Sequence, residues 1–213
     1  MRQSTTGLAM THMTHTPHPP HAADHAINPT GCVLVLVDYQ QRLMPAIDRH
    51  DEVLADALCL ADAARVLGLR IIGTEQNPQG LGPNVPALRE RCDTTMAKMH
   101  FDACASGLLD LLQAPADAAQ ATPLPDVVIA GCEAHVCLLQ TTLGLLRAGR
   151  RVWVVAPACG SRTTANHTLA MGRLRQAGAG IVSLEMVLFE WLQSCQHDKF
   201  RAVLAIIKAR SAA

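Results

Sequence analysis

Three residues could together perform nucleophilic catalysis, and each lies near the end of a predicted strand or the start of a predicted helix. Asp38 directly follows the apolar run 32–37, Cys137 lies shortly after the run 126–130, and Lys98 lies between the two runs. A cysteine in the first turn of a helix faces the positive end of the helix dipole, which lowers its pKa, as does a nearby ammonium group. The resulting thiolate is a nucleophile, and a neighbouring carboxylate can carry its proton. This pattern indicates a nucleophilic cysteine, although many cysteines at helix starts are structural.

Alternating strands and helices must position these residues. The hydrophobic pattern predicts strands over 32–37, 69–74, 126–130, 151–156 and 181–184, and helices over 51–67, 103–113, 134–148, 164–177, 186–193 and 197–210. This regular alternation is typical of right-handed βαβ units. We therefore predict the α/β class, with a single doubly wound (Rossmann-like) parallel sheet and helices on both faces. The active site of such a sheet lies beyond the carboxyl ends of its strands.

The chain divides into three segments. Residues 1–30 are rich in His, Pro and Thr, hold five of the ten histidines, and are predicted to form a flexible leader rather than a weak metal-binding tract. Residues 31–195 form the predicted α/β domain. Residues 196–213 form a predicted amphipathic helix that packs on this domain or on a neighbouring subunit.

Composition excludes several classes of function. Eighteen Lys and Arg residues balance eighteen Asp and Glu residues, so no basic surface indicates a nucleic-acid partner. No apolar run approaches the ~20 residues that cross a membrane, and we expect no membrane partner. The eight cysteines include no CxxC pair, which argues against a zinc knuckle. Free thiols without an apolar signal segment indicate a cytoplasmic location.

Several motifs resemble those of one enzyme family. The segment 126–137 is similar to the nucleophile motif of the isochorismatase-like cysteine hydrolases, as are residues 37–40 and Lys98 followed by Phe101. Residues 74–83 resemble the branch that contains the isochorismatase domain-containing proteins. The resemblance covers about three-quarters of the chain and includes most of the segment 31–195.

The resemblance implies a role for each matching residue. Cys137 would be the nucleophile, Asp38 the general base and acid, and Lys98 their electrostatic partner. The peptide bond between Cys132 and Glu133 would be cis, so that the backbone N–H groups of Glu133 and Cys137 form an oxyanion hole. The implied reaction is cleavage of an amide-like C–N bond in a small molecule through a thioester-type intermediate.

The resemblance also implies which residues line the pocket and which cofactors are absent. Gln40, Phe101, His135 and His100 would bind substrate, although each can instead be structural. Residues 74–78 contain none of the histidines with which the nicotinamidase-like branch binds its metal, so we expect no catalytic metal and no cofactor. The family usually self-associates, and we expect a homo-oligomer.

Two other functions remain open from the sequence. The chain could be an oligomeric binding or scaffold protein that retains the fold without turnover. It could also be a redox-active thiol protein, in which Cys132 approaches Cys137 across the turn.

Overall fold

The structure is a computed structural model that describes residues 26–113 and 124–211. The five leader histidines and residues 114–123 lie outside the described residues. Ile27 is buried, and its backbone N–H donates to Glu190 at 2.7 Å. Residues 26–30 therefore pack against the domain, although the sequence analysis assigned them to the leader.

A six-stranded, all-parallel sheet forms the centre of the molecule. Its strands lie in the order β3-β2-β1-β4-β5-β6. They are β1 (Val33–Val37), β2 (Arg70–Gln76), β3 (Thr94–Lys98), β4 (Val127–Gly131), β5 (Val152–Val155) and β6 (Gly180–Val182). The order reverses between β1 and β4, which is the doubly wound topology. This architecture confirms the predicted fold class.

The sequence analysis missed the strand β3. Its first four residues are half-buried or exposed, and Lys98 at its end is buried, because β3 is an edge strand that carries threonines in place of a continuous apolar run. It pairs with β2 in the register that sets Gln76 beside Lys98. The segment before the predicted helix 103–113 is therefore a strand that delivers Lys98 to the sheet edge.

Helices cover both faces of the sheet. They are α1 (His50–Val66), α2 (Pro78–Leu81), α3 (Pro86–Arg89), α4 (Leu108–Leu111), α5 (Leu139–Arg147), α6 (Thr164–Gln176), α7 (Leu184–Leu192) and α8 (Phe200–Ser211). The helices α1, α7 and α8 pack together, and α5 packs with α6. Right-handed crossovers place these two groups on opposite faces of the sheet.

Two predicted helices are less regular than expected. The helix predicted over 103–113 is broken at Gly107, whose φ of 100° ends the 3-10 turn Ala103–Ser106 before α4 begins. The helix predicted over 134–148 opens with a π-turn, Ala134–Leu138, and continues as α5. Cys137 lies in this π-turn.

The core is continuous on both sides of the sheet. All five residues of β1 are buried, as a central strand covered on both faces requires. The helix α8 lies against α1, with Val203 fully buried and Arg210 Nε 2.7 Å from Asp56 Oδ1. Among the described residues, no helix is both long and apolar enough to cross a bilayer.

Candidate active site

The carboxyl ends of four adjacent strands bring the predicted catalytic residues together. Strand register aligns Val37 of β1 with Thr74 of β2 and with Gly131 of β4. The same edge receives Lys98 from the end of β3. Parallel strands end at one edge of a sheet, so residues far apart in sequence meet there.

Asp38 is fixed by hydrogen bonds to both of its carboxylate oxygens. It follows β1 with a left-handed φ of 54° and is fully buried. Its Oδ1 accepts from Thr74 Oγ1 at 2.6 Å, and its Oδ2 accepts from Lys98 Nζ at 2.7 Å. A buried carboxylate needs such charged and hydroxyl donors, since it has lost its water.

Lys98 donates to more than one group. Its Nζ lies 2.8 Å from Gln76 Oε1, in addition to the 2.7 Å contact with Asp38. The backbone carbonyls of His100 and Phe101 lie farther away, at 3.5 and 3.4 Å. The ammonium group therefore replaces its hydration shell with one carboxylate and several neutral oxygens.

Cys137 lies beside this pair, but its thiol is not activated in the way that the sequence analysis predicted. Burial, followed by the negative charge of Asp38, raises the pKa of the Cys137 thiol from 9.0 to about 12, while Lys98 acts in the opposite direction. The expected lowering of this pKa was wrong, because loss of water outweighs the favourable lysine. At neutral pH the sulfur is a thiol, next to a carboxylate that can accept its proton.

The turn before Cys137 requires a glycine at its start. Gly131 ends β4 with a φ of 158°, and a Cβ at this position would lie 2.8 Å from Val37 Cα. Only a glycine lets β4 approach the end of β1 this closely. The peptide bond between Cys132 and Glu133 that follows is cis, the isomer that the resemblance implies.

Glu133 and Cys132 point to different environments. Glu133 Oε1 accepts from Arg162 Nε at 2.7 Å near the surface, and within the described residues its backbone N–H donates to no group. Cys132 is fully buried, with its Sγ 3.9 Å from Met44 Sδ. Burial raises the pKa of the Cys132 thiol well above its usual range. Its burial and its contact with Met44 therefore place Cys132 in the hydrophobic core.

The four predicted substrate-binding residues occupy different places. Gln40 is fully buried and bonds the backbone of Gln76, so its side chain is occupied by structural contacts. His100 lines a cavity of about 340 Å³ that also contacts Lys98, and its Nδ1 lies 3.3 Å from Ser106 Oγ. Phe101 is 48% exposed.

His135 is half-buried in the π-turn that carries Cys137, and its Nδ1 lies 3.0 Å from Ser161 Oγ. This contact orients the imidazole ring two residues before the sulfur. His135 therefore borders the region of Cys137, whereas His100 borders the region of Lys98.

The segment 74–78 provides polar residues that the sequence analysis did not assign to the site. Thr74 bonds Asp38 and Gln76 bonds Lys98. Thr74 and Gln76 are both buried. The signal that could have revealed them is a run of three polar residues at the end of an apolar strand. Glu75 between them points away, 3.2 Å from Arg89 Nε.

No group of three His, Cys, Asp or Glu side chains is arranged to hold a metal ion within the described parts of the chain. Glu75 accepts from the backbone N–H of Asn84 at 2.9 Å in addition to its ion pair with Arg89. The Glu75 carboxylate is therefore already occupied by contacts within the protein.

Fold and site together define an α/β protein whose sheet edge holds an aspartate, a lysine and a cysteine. The Isochorismatase domain family model matches residues 32–186, and the chain belongs to this family. Isochorismatase domain-containing protein 2 of Xenopus laevis is 35% identical over 175 residues, which are 82% of each chain. The family fold supports a hydrolase-type function.

Solved structures share the architecture. The structure described as MAR1 ribonuclease from Caenorhabditis elegans is 34% identical, with a TM-score of 0.78 over 86% of this chain and 92% of that one. YcaC from Pseudomonas aeruginosa, solved with hexane-2,5-diol and covalent acrylamide, is 26% identical, with a TM-score of 0.76 over 88% and 95%. YcaC from Escherichia coli, described as an octameric hydrolase of unknown specificity, is 24% identical, with a TM-score of 0.75 over 92% of each chain.

Proposed function

We propose that this protein is a cysteine hydrolase that cleaves an amide-like C–N bond of a small molecule, with no metal or other cofactor. Cys137 is the nucleophile, Asp38 the general base and acid, and Lys98 the cation that stabilises their negative charges. The observation that carries the proposal is the buried ion pair of Asp38 and Lys98 beside the Cys137 thiol. A buried ion pair beside a thiol with a perturbed pKa is typical of catalytic sites.

The first step transfers a proton and forms a C–S bond. Because the pKa of the Cys137 thiol is raised to about 12, its proton leaves only as the sulfur attacks. Asp38 accepts that proton, and Lys98 offsets the charge on both groups. The electron pair of the substrate C=O moves to oxygen, where the backbone N–H groups of Glu133 and Cys137 donate to the oxyanion. Among the backbone hydrogen bonds of the described residues, none uses the Glu133 N–H, which supports this role.

The remaining steps release two products. The oxyanion collapses, the C–N bond breaks, and Asp38 returns its proton to the leaving amine, which leaves a thioester on Cys137. Asp38 then takes a proton from water as the water attacks the thioester. When the C–S bond breaks, the same proton returns to the sulfur, so the enzyme is regenerated as thiol and carboxylate.

Restricted access to the sulfur favours a small substrate. Cys137 is 6% exposed, and the Asp38 and Lys98 side chains are fully buried. Such limited exposure of the sulfur favours a small carbonyl substrate over a polymer. The YcaC structure contains covalent acrylamide, which is a small electrophile that reacts with nucleophiles, and this supports a small substrate for the present protein.

A burst experiment tests the proposal. With an activated chromogenic ester, the wild-type protein should release one equivalent of chromophore rapidly and then turn over more slowly, because hydrolysis of the thioester is then the slower step. The variant Cys137→Ser should lose both phases, and the matched control Cys195→Ser, at an exposed cysteine, should retain them. RNA belongs in the substrate panel, given the relative described as a ribonuclease. Turnover of any substrate that persists in Cys137→Ser would contradict the proposal, and no reaction at all would favour a binding protein.

We also propose that the chain forms a homo-oligomer. Met99 and Phe101 are exposed apolar side chains at the sheet edge that carries Lys98. An octameric relative with the same fold supports self-association. Light scattering should report a mass at least twice that of the 22.8 kDa chain. A monomer at micromolar concentration would contradict the proposed homo-oligomer.

A further inference from the structure

Gln76 is held in one orientation by contacts at both ends. Its backbone N–H donates to Gln40 Oε1 at 2.8 Å, and its backbone carbonyl accepts from Gln40 Nε2 at 2.9 Å. Its own side-chain Nε2 donates to the Met99 carbonyl at 2.8 Å. This last bond turns the carboxamide oxygen toward Lys98 Nζ, also at 2.8 Å.

We propose that Gln76 is a positioning residue, which acts through Lys98. It holds the ammonium group of Lys98 against Asp38 without neutralising the positive charge of that group. The role rests on the proposed function for its catalytic meaning. An amide oxygen accepts a strong hydrogen bond from an ammonium group but carries no net charge. Among the described residues, Asp38 is therefore the one carboxylate that contacts Lys98, and the positive charge of Lys98 also lowers the pKa of the Cys137 thiol.

A carboxylate in place of this amide would change the electrostatics and leave the shape nearly unchanged. A glutamate at position 76 would give Lys98 a second negative neighbour, so the net charge around Cys137 would become more negative. Formation of a thiolate would then cost more. Asp38 and Lys98 are the titratable groups that act most strongly on the Cys137 thiol. A third charge beside them should therefore also change the pKa of this thiol.

A merely structural role for Gln76 predicts something different. The end of β2 is already paired with β3 and is bonded through its backbone to Gln40. If Gln76 only filled space, replacing its amide with a group of equal size would leave the reactivity of Cys137 unchanged. The pH dependence of that reactivity therefore separates the two roles.

The test measures alkylation of Cys137 by iodoacetamide, followed by peptide mass spectrometry across a pH series. Gln76→Glu should lower the Cys137 alkylation rate by about tenfold at each pH between about 7 and 9, which corresponds to a thiol pKa raised by about one unit. The control Gln79→Glu, which adds the same charge at an exposed position three residues later, should leave the profile unchanged. Equal profiles for the folded Gln76→Glu variant and its control would overturn the proposal.

A second variant keeps the test decisive if Gln76→Glu does not fold. Gln76→Met has nearly the same volume and adds no charge, but it removes the oxygen that holds Lys98. It should lower the Cys137 alkylation rate at pH 8 by about tenfold, since a displaced catalytic group loses much of its effect. An unchanged rate relative to Gln79→Met would overturn the proposal. Because alkylation needs no turnover, a shifted profile in a protein without hydrolase activity would contradict the proposed function alone.

Discussion

Lys98 and Asp38 form an ion pair with Nζ and Oδ2 2.7 Å apart and with both side chains fully buried, although sixty residues separate them in sequence. They come from the ends of β3 and β1, and β2 lies between these strands. Thr74 and Gln76 of β2 bridge the gap by bonding one member each. The pair is therefore built into the sheet edge, and each charge depends on the other.

Removing the cation should destabilise the whole domain. In Lys98→Met the carboxylate of Asp38 would stay buried without its cationic partner, and breaking a buried pair from one side costs about 3–5 kcal/mol. Urea denaturation should show this loss in the free energy of unfolding. The control Lys199→Met, at an exposed lysine, should change it by about 0.5 kcal/mol or less. A loss below about 1 kcal/mol in Lys98→Met would show that the pair contributes little.

Asp38→Asn should separate two roles of the carboxylate. Removal of its negative charge should lower the pKa of the Cys137 thiol, since Asp38 raises that pKa in the native protein. Alkylation of Cys137 should therefore reach its midpoint at lower pH. Turnover should nevertheless fall by about 10²–10⁴, because no base remains to move the proton. Turnover that stays within about tenfold of the wild-type rate in a folded Asp38→Asn variant would contradict the assignment of Asp38 as the base.

Alkaline pH should destabilise the fold through its buried thiols. Burial raises the pKa of Cys32, Cys137 and Cys159 from 9.0 to about 12 each. Between these values the folded state binds more protons than the unfolded state, so stability is complete below pH 9 and declines as pH rises toward 12. The slope approaches about 1.4 kcal/mol per pH unit for each thiol. Urea denaturation at pH 8 and pH 10 measures it, and equal free energies of unfolding would contradict it.

Gly131 should not tolerate a side chain. In Gly131→Ala the new Cβ would collide with the backbone of Val37, so the ends of β4 and β1 must separate. We expect a loss of about 2–4 kcal/mol in the free energy of unfolding, together with loss of Cys137 reactivity. The control Gly172→Ala lies in α6 with open space around the new methyl group, and should be neutral or stabilising by up to about 1 kcal/mol. Similar effects at both glycines would contradict the close approach.

The buried strands were predictable because their apolar runs are long and their helices end at glycines. The run 32–37 and the helix ended by Gly68 match β1 and α1 within one residue at each boundary. The edge strand β3 was not predictable from hydrophobicity, since none of its first four residues is buried. The break at Gly107 was missed because a single glycine within a helical pattern does not by itself predict a left-handed turn.

The site was predictable in its parts and not in its electrostatics. Asp38, Lys98 and Cys137 could be identified from their motifs, and the sheet topology brings them together. The state of the sulfur could not, because helix position and a nearby lysine favour the thiolate while burial opposes it. The balance depends on how much water reaches Cys137, which only the packing of the whole domain determines.

Intact-protein mass spectrometry with an activated amide or ester most directly tests whether Cys137 acts as the nucleophile. Rapid quenching should reveal one acyl group per chain, and peptide mapping should place it on Cys137. The adduct should disappear as hydrolysis completes, and it should be absent in Cys137→Ser. An acyl group on another residue, or turnover with no covalent intermediate and no dependence on Cys137, would contradict the account.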